Sequence, residues 1–189
     1  MVSKILAGAR LSGSLYMIFF LSSHLDGQHK LVRWQIVIHG CVDGYSHAVV
    51  FLKASCNNKA STVLDLFLDA TTKFHYPHRI RTDYGTENIA VARHMLDRYC
   101  LSSKPVLTGQ SVHNQCIEHL WHDVNTYVVN TYPDNEFHLF ALHYIFYPRV
   151  NKSLNIFTTQ WNNHPLSSEH GQSPLLLEKI MVKAKLKKY

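Results

Sequence analysis

An α/β domain on a mixed five-stranded sheet is the fold class the sequence predicts, and three observations predict it. The first is a hairpin-like start, in which two runs rich in β-branched and aromatic residues flank Asp43-Gly44-Tyr45-Ser46. The second is an alternation of short strand-like and longer helix-like segments after it. The third is composition: 46% hydrophobic and 12% aromatic residues over 189 positions are those of a globular chain, not a disordered one. A chain of this length forms one domain and buries roughly two-thirds of its surface.

Each element follows in order. Asp26, in Leu25-Asp26-Gly27, enters the first strand region, and residues 31–40 read as strand. After the turn, residues 47–54 are the next strand. Asn57 and Asn58 offer an N-cap to a helix in which Val63, Leu64, Leu66, Phe67 and Ala70 recur at helical spacing, ending before Pro77. Residues 78–83 are a short strand, Tyr84-Gly85-Thr86 forces a turn, and residues 88–99 carry a helical period through Ile89, Ala92, Met95 and Leu96. Residues 105–107 form a fifth strand, followed by the loop Thr108-Gly109-Gln110. Residues 111–127 are an amphipathic helix. Val112, Ile117, Leu120, Trp121, Val124 and Val128 share one stripe, while Gln115, Glu118, His122 and Asn125 share another face. Pro133-Asp134-Asn135 breaks the pattern, and two further helical stretches follow, residues 136–147 and one around 154–161.

Charge divides the chain differently. With 19 Lys+Arg and 13 Asp+Glu the net charge is +6, but Lys179, Lys183, Lys185, Lys187 and Lys188 lie beyond the last acid, Glu178. Residues 1–178 hold 14 basic and 13 acidic groups, a net of +1. A uniformly basic, histone-like domain is thereby excluded. Residues 178–189 form a basic tail that reads as a DNA-contacting arm, a nuclear-import patch or a solvated end. Residues 1–23 differ from the rest: Lys4 and Arg10 precede the apolar run 11–21. This reads as a signal peptide, a packed terminal element or an extension unrelated to the domain, and eleven residues are too few to span a bilayer, which takes about 20. The expected location is nucleus or cytoplasm, with secretion as the alternative. Cys41, Cys56, Cys100 and Cys116 form no CxxC pair and read as free thiols of a reducing compartment.

Three acids stand where an acid does little for structure: Asp26 near the first strand, Asp83 at the end of a strand before Gly85, and Glu118 beside the apolar helix stripe. In an alternating α/β domain, strand ends and the neighbouring helix face converge on one crevice. Three carboxylates there repel one another, and oxygen-only donors select hard cations such as Mg²⁺ or Mn²⁺. Two such ions about 3.5–4 Å apart would activate a water or hydroxyl and stabilise the leaving oxygen of a phosphodiester.

The order Asp26-Gly27, Asp83-x-Gly85 and Glu118, the last two acids 35 residues apart, resembles the Asp-Asp-Glu arrangement of integrase core domains. The stretches LDGQHKLVRWQIVIHGCVDGYSHAVVFLKAS, RIRTDYGTENIAVARHML, TGQSVHNQCIEHLWHDV and WNNHPLSSEHGQSPLLL are similar to the transposon-derived integrase cores of animal genomes, over residues 25–177. The resemblance implies an RNase H-like fold, with residues 24–177 as the catalytic core, and DNA integration by Mg²⁺- or Mn²⁺-dependent polynucleotidyl transfer. It implies that Asp26 bridges two metals and that Asp83 and Glu118 each hold one. Asn114 and Gln115 would line the site, Gly85 would allow close approach of backbone, and Glu87 and Asn88 would cap the next helix. Asp43 is a strand-turn residue outside the catalytic set. DNA is the implied partner, in a homo-oligomer if the core is active, without a small-molecule cofactor or a membrane.

Three departures bear on activity. The family's helix around the Glu usually carries arginines where this chain has Cys116, His119 and His122, so DNA contact by His119 and His122 is expected to be weaker and pH-dependent. The stretch between Asp123 and Glu136 is short, which leaves the Glu118 helix expected to be truncated and its apolar face under-covered. Residues 1–23 do not resemble the family's sequence before the first Asp. A domesticated or decayed core that binds nucleic acid or protein without catalysis is the alternative. Zinc is not the expected metal: His119 and His122 are three apart, not the four of HExxH. In the tail, Lys183, Lys185, Lys187 and Lys188 are the expected phosphate contacts.

Overall fold

A computed structural model describes residues 22–99, 101–109, 115–131 and 142–186. Five strands, β1 (Ser23–Gln28), β2 (Val37–Asp43), β3 (Val49–Ser55), β4 (Ile80–Thr82) and β5 (Val106–Thr108), form one sheet in the order β3-β2-β1-β4-β5. β2 runs antiparallel to β1 and β3, and β4 runs parallel to β1 and β5, so the sheet is mixed, as expected. The helices are α1 (Ala60–Phe74), α2 (Ile89–Arg98), α3 (Gln115–Tyr127), α4 (Tyr147–Asn163) and α5 (Pro174–Leu186).

The sheet separates two apolar layers. β2 is buried along its whole length, which requires a cover on each face. Ile38 and Val42 point to one side, with Ile117, Leu120, Trp121 and Val124 of α3 and Val150, Leu154 and Phe157 of α4. Cys41 points to the other, with Leu25 and Ile80 from the sheet, Val63 and Phe67 of α1, and Val91 and Met95 of α2. This period-2 alternation also places Asp26, the neighbour of Leu25, on the α3 side.

The edge strand β3 is closed by side chains of α4. Asn151 Oδ1 accepts from the Ala54 N–H at 3.0 Å, and its Nδ2 donates to the Ala54 carbonyl. Asn162 does the same for Val49, at 2.7 Å and 3.0 Å. Eleven helical residues and five strand residues both span about 16.5 Å, so the two amides fall in step with the strand they cover. The outward backbone groups of Val49 and Ala54 are thereby satisfied and unavailable for pairing with another strand.

Several local expectations need correction. The strand expected over 31–40 begins only at Val37. Residues 32–34 form a 3₁₀ turn, and Gln35 adopts φ 55°, because the β1–β2 connection must reverse the chain while burying Leu31. Asp26 lies inside β1 rather than before it. Asn57 is not itself the cap of α1, whose N-cap is Lys59, but its Oδ1 accepts from the Lys59 N–H and the Thr62 hydroxyl. Asn88 stands at the N-cap of α2 as expected, but neither it nor Glu87 caps with its side chain: Asn88 Nδ2 donates to Asp83, and Glu87 accepts from Asn58. Of the first of the two late helices expected, residues 136–141 lie outside the described residues, and from Leu142 on a π-helical turn, Leu142–Phe146, runs directly into α4 without a break between the two. The apolar stripe of α3 is not under-covered: Ile117, Leu120, Val124 and Val128 are all buried. Val112, of the same stripe, lies outside the described residues. α5 was not foreseen, although Ser173 and Pro174 are a start signal; the Leu176 N–H donates to Ser173 Oγ. Cys41, Cys56 and Cys116 are free thiols.

Candidate carboxylate site

β1 and β4 are parallel neighbours, in register from Ser23 beside Ile80 to Leu25 beside Thr82. Asp26 and Asp83 are each the next residue, on strands about 4.8 Å apart. The chain turns away from the sheet at Asp83 itself, whose Oδ1 accepts from the Gly85 N–H and from Asn88 Nδ2, both at 3.0 Å. The Glu87 carboxylate folds over Gly85, so a Cβ there would overlap Oε1 and displace that carboxylate. Glu87 is buried, with Oε2 accepting from Asn58 Nδ2 at 3.3 Å.

α3 supplies the third acid. Trp121 Nε1–H donates to Asp26 Oδ2 at 2.9 Å, and Gln28 Nε2 donates to Asn125 Oδ1. Two strand residues and four helical residues span about 6–6.6 Å, so these bonds hold α3 alongside β1, both running in the same sense. Glu118 is exposed one turn before Trp121, on the face that meets β1. The electrostatics join the three acids. Burial pushes the Asp26 carboxyl up to about 6; the bonds from Trp121 and the Gly27 N–H pull it down, and the charges of Asp83 and Glu118 raise it further.

The remaining expected contacts divide. His119 and His122 are exposed on α3. Asn114 lies outside the described residues, and Gln115 is described only as the first residue of α3. Lys183 and Lys185 fall within α5, while Lys187 and Lys188 lie outside the described residues. Asp43 ends β2 in a turn, its Oδ2 accepting from the Ser46 N–H and hydroxyl, each at 2.8 Å. Sequence reasoning missed two groups. Trp121 was read only as part of the apolar stripe, and the buried His39, whose Nε2 meets Ser55 Oγ at 2.8 Å, carried no signal beyond its place in a strand.

The donor set suits a hard divalent ion: three carboxylates and no soft ligand, with a buried central acid whose charge a cation would stabilise. Among the described residues, however, no three His, Cys, Asp or Glu side chains stand close enough together to hold a metal ion. The carboxylates share one region without forming a closed cage.

A mixed sheet in the order β3-β2-β1-β4-β5, with helices on both faces, one acid within β1 and a second just past the end of the adjacent β4, defines an RNase H-like core. Residues 21–188 match the model of the integrase core domain family, and the chain belongs to that family. Solved structures agree in fold. The HTLV-2 integrase catalytic core domain in complex with magnesium, in its trimeric form, superposes with a TM-score of 0.58 at 14% identity, over 84% of this chain and 95% of that one. The catalytic core domain of BIV integrase gives a TM-score of 0.61 at 16% identity, over 89% and 97%. The simian T-cell lymphotropic virus intasome in complex with PP2A regulatory subunit B56 gamma gives 0.59 at 15% identity, over 84% and 54%. No curated protein sequence matches the chain. No described helix is long and apolar enough to cross a membrane.

Proposed function

We propose that this chain is the catalytic core of a DNA integrase, a polynucleotidyl transferase in which Asp26, Asp83 and Glu118 hold two Mg²⁺ or Mn²⁺ ions. The observation that supports it best is the Asp26 carboxyl, a partly buried acid that feels the charges of both Asp83 and Glu118. Asp26, Asp83 and Glu118 would together hold the ions through their carboxylate oxygens. When bound, the ions supply activation of a water or DNA 3′-hydroxyl and stabilisation of the leaving phosphodiester oxygen.

The protein's own contribution is positional. The Gly85 and Asn88 donors fix Asp83, Trp121 fixes Asp26, and α3 carries Glu118 on a helix packed against the sheet. Exposed His119 and His122 and the lysines of the last segment would meet the DNA backbone. Assembly as a homo-oligomer belongs to the same reading, since the similar HTLV-2 cores were solved in dimeric and trimeric forms.

The test is Mg²⁺- or Mn²⁺-dependent nicking and strand transfer on duplex DNA. Asp83→Asn is expected to bring both to background, and equal activity in the two proteins overturns the catalytic assignment. An RNA–DNA hybrid run in parallel separates DNA integration from cleavage of RNA. The open arrangement of the acids favours one alternative, a core that retains the fold and binds nucleic acid or protein without catalysis. In that case, calorimetric titration with Mn²⁺ gives no heat that depends on the three carboxylates.

A further inference from the structure

Two features converge on the indole of Trp121 that the period of an amphipathic helix does not explain. Its Nε1–H reaches out of the apolar layer to Asp26 Oδ2 at 2.9 Å. Its six-membered edge lies over Gly40, where an added Cβ would stand 2.6 Å from Cη2 and 3.1 Å from Cζ2. Gly40 is the cross-strand partner of Asp26 in the β1–β2 ladder. The ring therefore reaches both members of that pair, lying against the residue that lacks a side chain and hydrogen-bonded to the one that has it. A phenyl ring could fill the same volume but could not donate, and a smaller polar residue could donate but would not reach from the buried helix face; indole combines both.

We propose that Trp121 is a positioning residue for the carboxylate site. Its N–H holds one oxygen of Asp26 and so sets the direction in which the carboxylate presents its remaining lone pairs. Gly40 is the clearance that lets the ring lie there. The same contact fixes the register of α3 on β1, with Glu118 one helical turn away from the bond. The inference rests on the reading of Asp26 as a metal ligand. Partners that orient a ligand in this way typically contribute about 10–100-fold to metal affinity.

Two measurements on the full chain test this. The first is Mn²⁺ affinity by calorimetry for wild type, Trp121→Phe, Gly40→Ala and Asp26→Asn. Trp121→Phe is expected to weaken binding by roughly 10–100-fold, and Gly40→Ala, which displaces the ring without removing it, is expected to act in the same direction. The second is the indole N–H spectrum, which holds one signal for each of Trp34, Trp121 and Trp161. The signal lost in Trp121→Phe is expected to shift on titration of the wild type with Mg²⁺, and to shift in Asp26→Asn without metal. Unchanged Mn²⁺ affinity in folded Trp121→Phe, with binding abolished in Asp26→Asn, overturns the positioning role and leaves the carboxylate site standing. Unchanged affinity in Asp26→Asn overturns both. If Trp121→Phe does not fold, the wild-type spectrum decides: an indole signal indifferent to Mg²⁺ overturns the proposal.

Discussion

Asp26 is a carboxylate partly buried on a strand interior, and its chemistry follows from that placement. In the unfolded chain it titrates near its ordinary 3.8, in the folded metal-free protein near 6. Between those values the folded state holds a proton that the unfolded state has lost, so stability falls as pH rises from about 4 to 6 and stays reduced above. Asp26→Asn removes the buried charge while keeping an oxygen acceptor for Trp121. Without divalent ions it is expected to be more stable than wild type by about 3 kcal/mol at pH 7, the difference vanishing toward pH 4. Urea unfolding across that range measures it, and a pH-independent difference refutes the assignment of burial as the cause. Asp26, Asp83 and Glu118 stood out as candidates through the resemblance of their order and spacing to the integrase-core arrangement, since each acid alone has an ordinary structural role. Trp121 was not, because a 3.6-residue period sorts side chains into faces and cannot register a polar edge on an apolar ring.

At the scale of elements, α4 is more than a cover for the apolar layer. Asn151 and Asn162 are buried amides that each satisfy both the N–H and the carbonyl of one β3 residue. Asn162→Ala strands two buried backbone groups at Val49 and is expected to cost about 2–4 kcal/mol. Asn163→Ala, on the exposed side of the same helix and bonded only within it, is expected to change stability by less than about 0.5 kcal/mol. Comparison of their urea midpoints checks this, and equal midpoints would show that the edge is not held by these amides. The helical character of this segment was readable from its apolar spacing. Its role was not, since the matching rise of helix and strand that aligns the two asparagines exists only once the helix lies along the edge.

For the whole molecule, charge and assembly come into play. If the chain binds DNA through its last segment, replacing Lys179, Lys183, Lys185, Lys187 and Lys188 with Gln is expected to reduce the slope of log affinity against log salt by up to about 4.5. An unchanged slope removes the segment from the interface. α5 extends through Leu186, so Lys179, Lys183 and Lys185 belong to a helix rather than to an extended arm. Phosphate contacts made from it would share that helix's spacing.

The resemblance of the sequence to integrase cores singled out the three acids as candidates, while the sequence by itself determined the fold class and the succession of strands and helices from β1 to α4. These depend on local periodicity, turn chemistry and residue type, all carried by neighbours along the chain. Only the tertiary structure decided that β1 lies between β2 and β4, which brings position 26, inside β1, beside position 83, just past the end of β4. It alone also decided that Trp121 crosses Gly40 to reach Asp26, and that α4 closes the β3 edge. Strand neighbours, ring clearances and backbone partners are set by contacts between residues tens of positions apart, where spacing along the chain no longer measures distance.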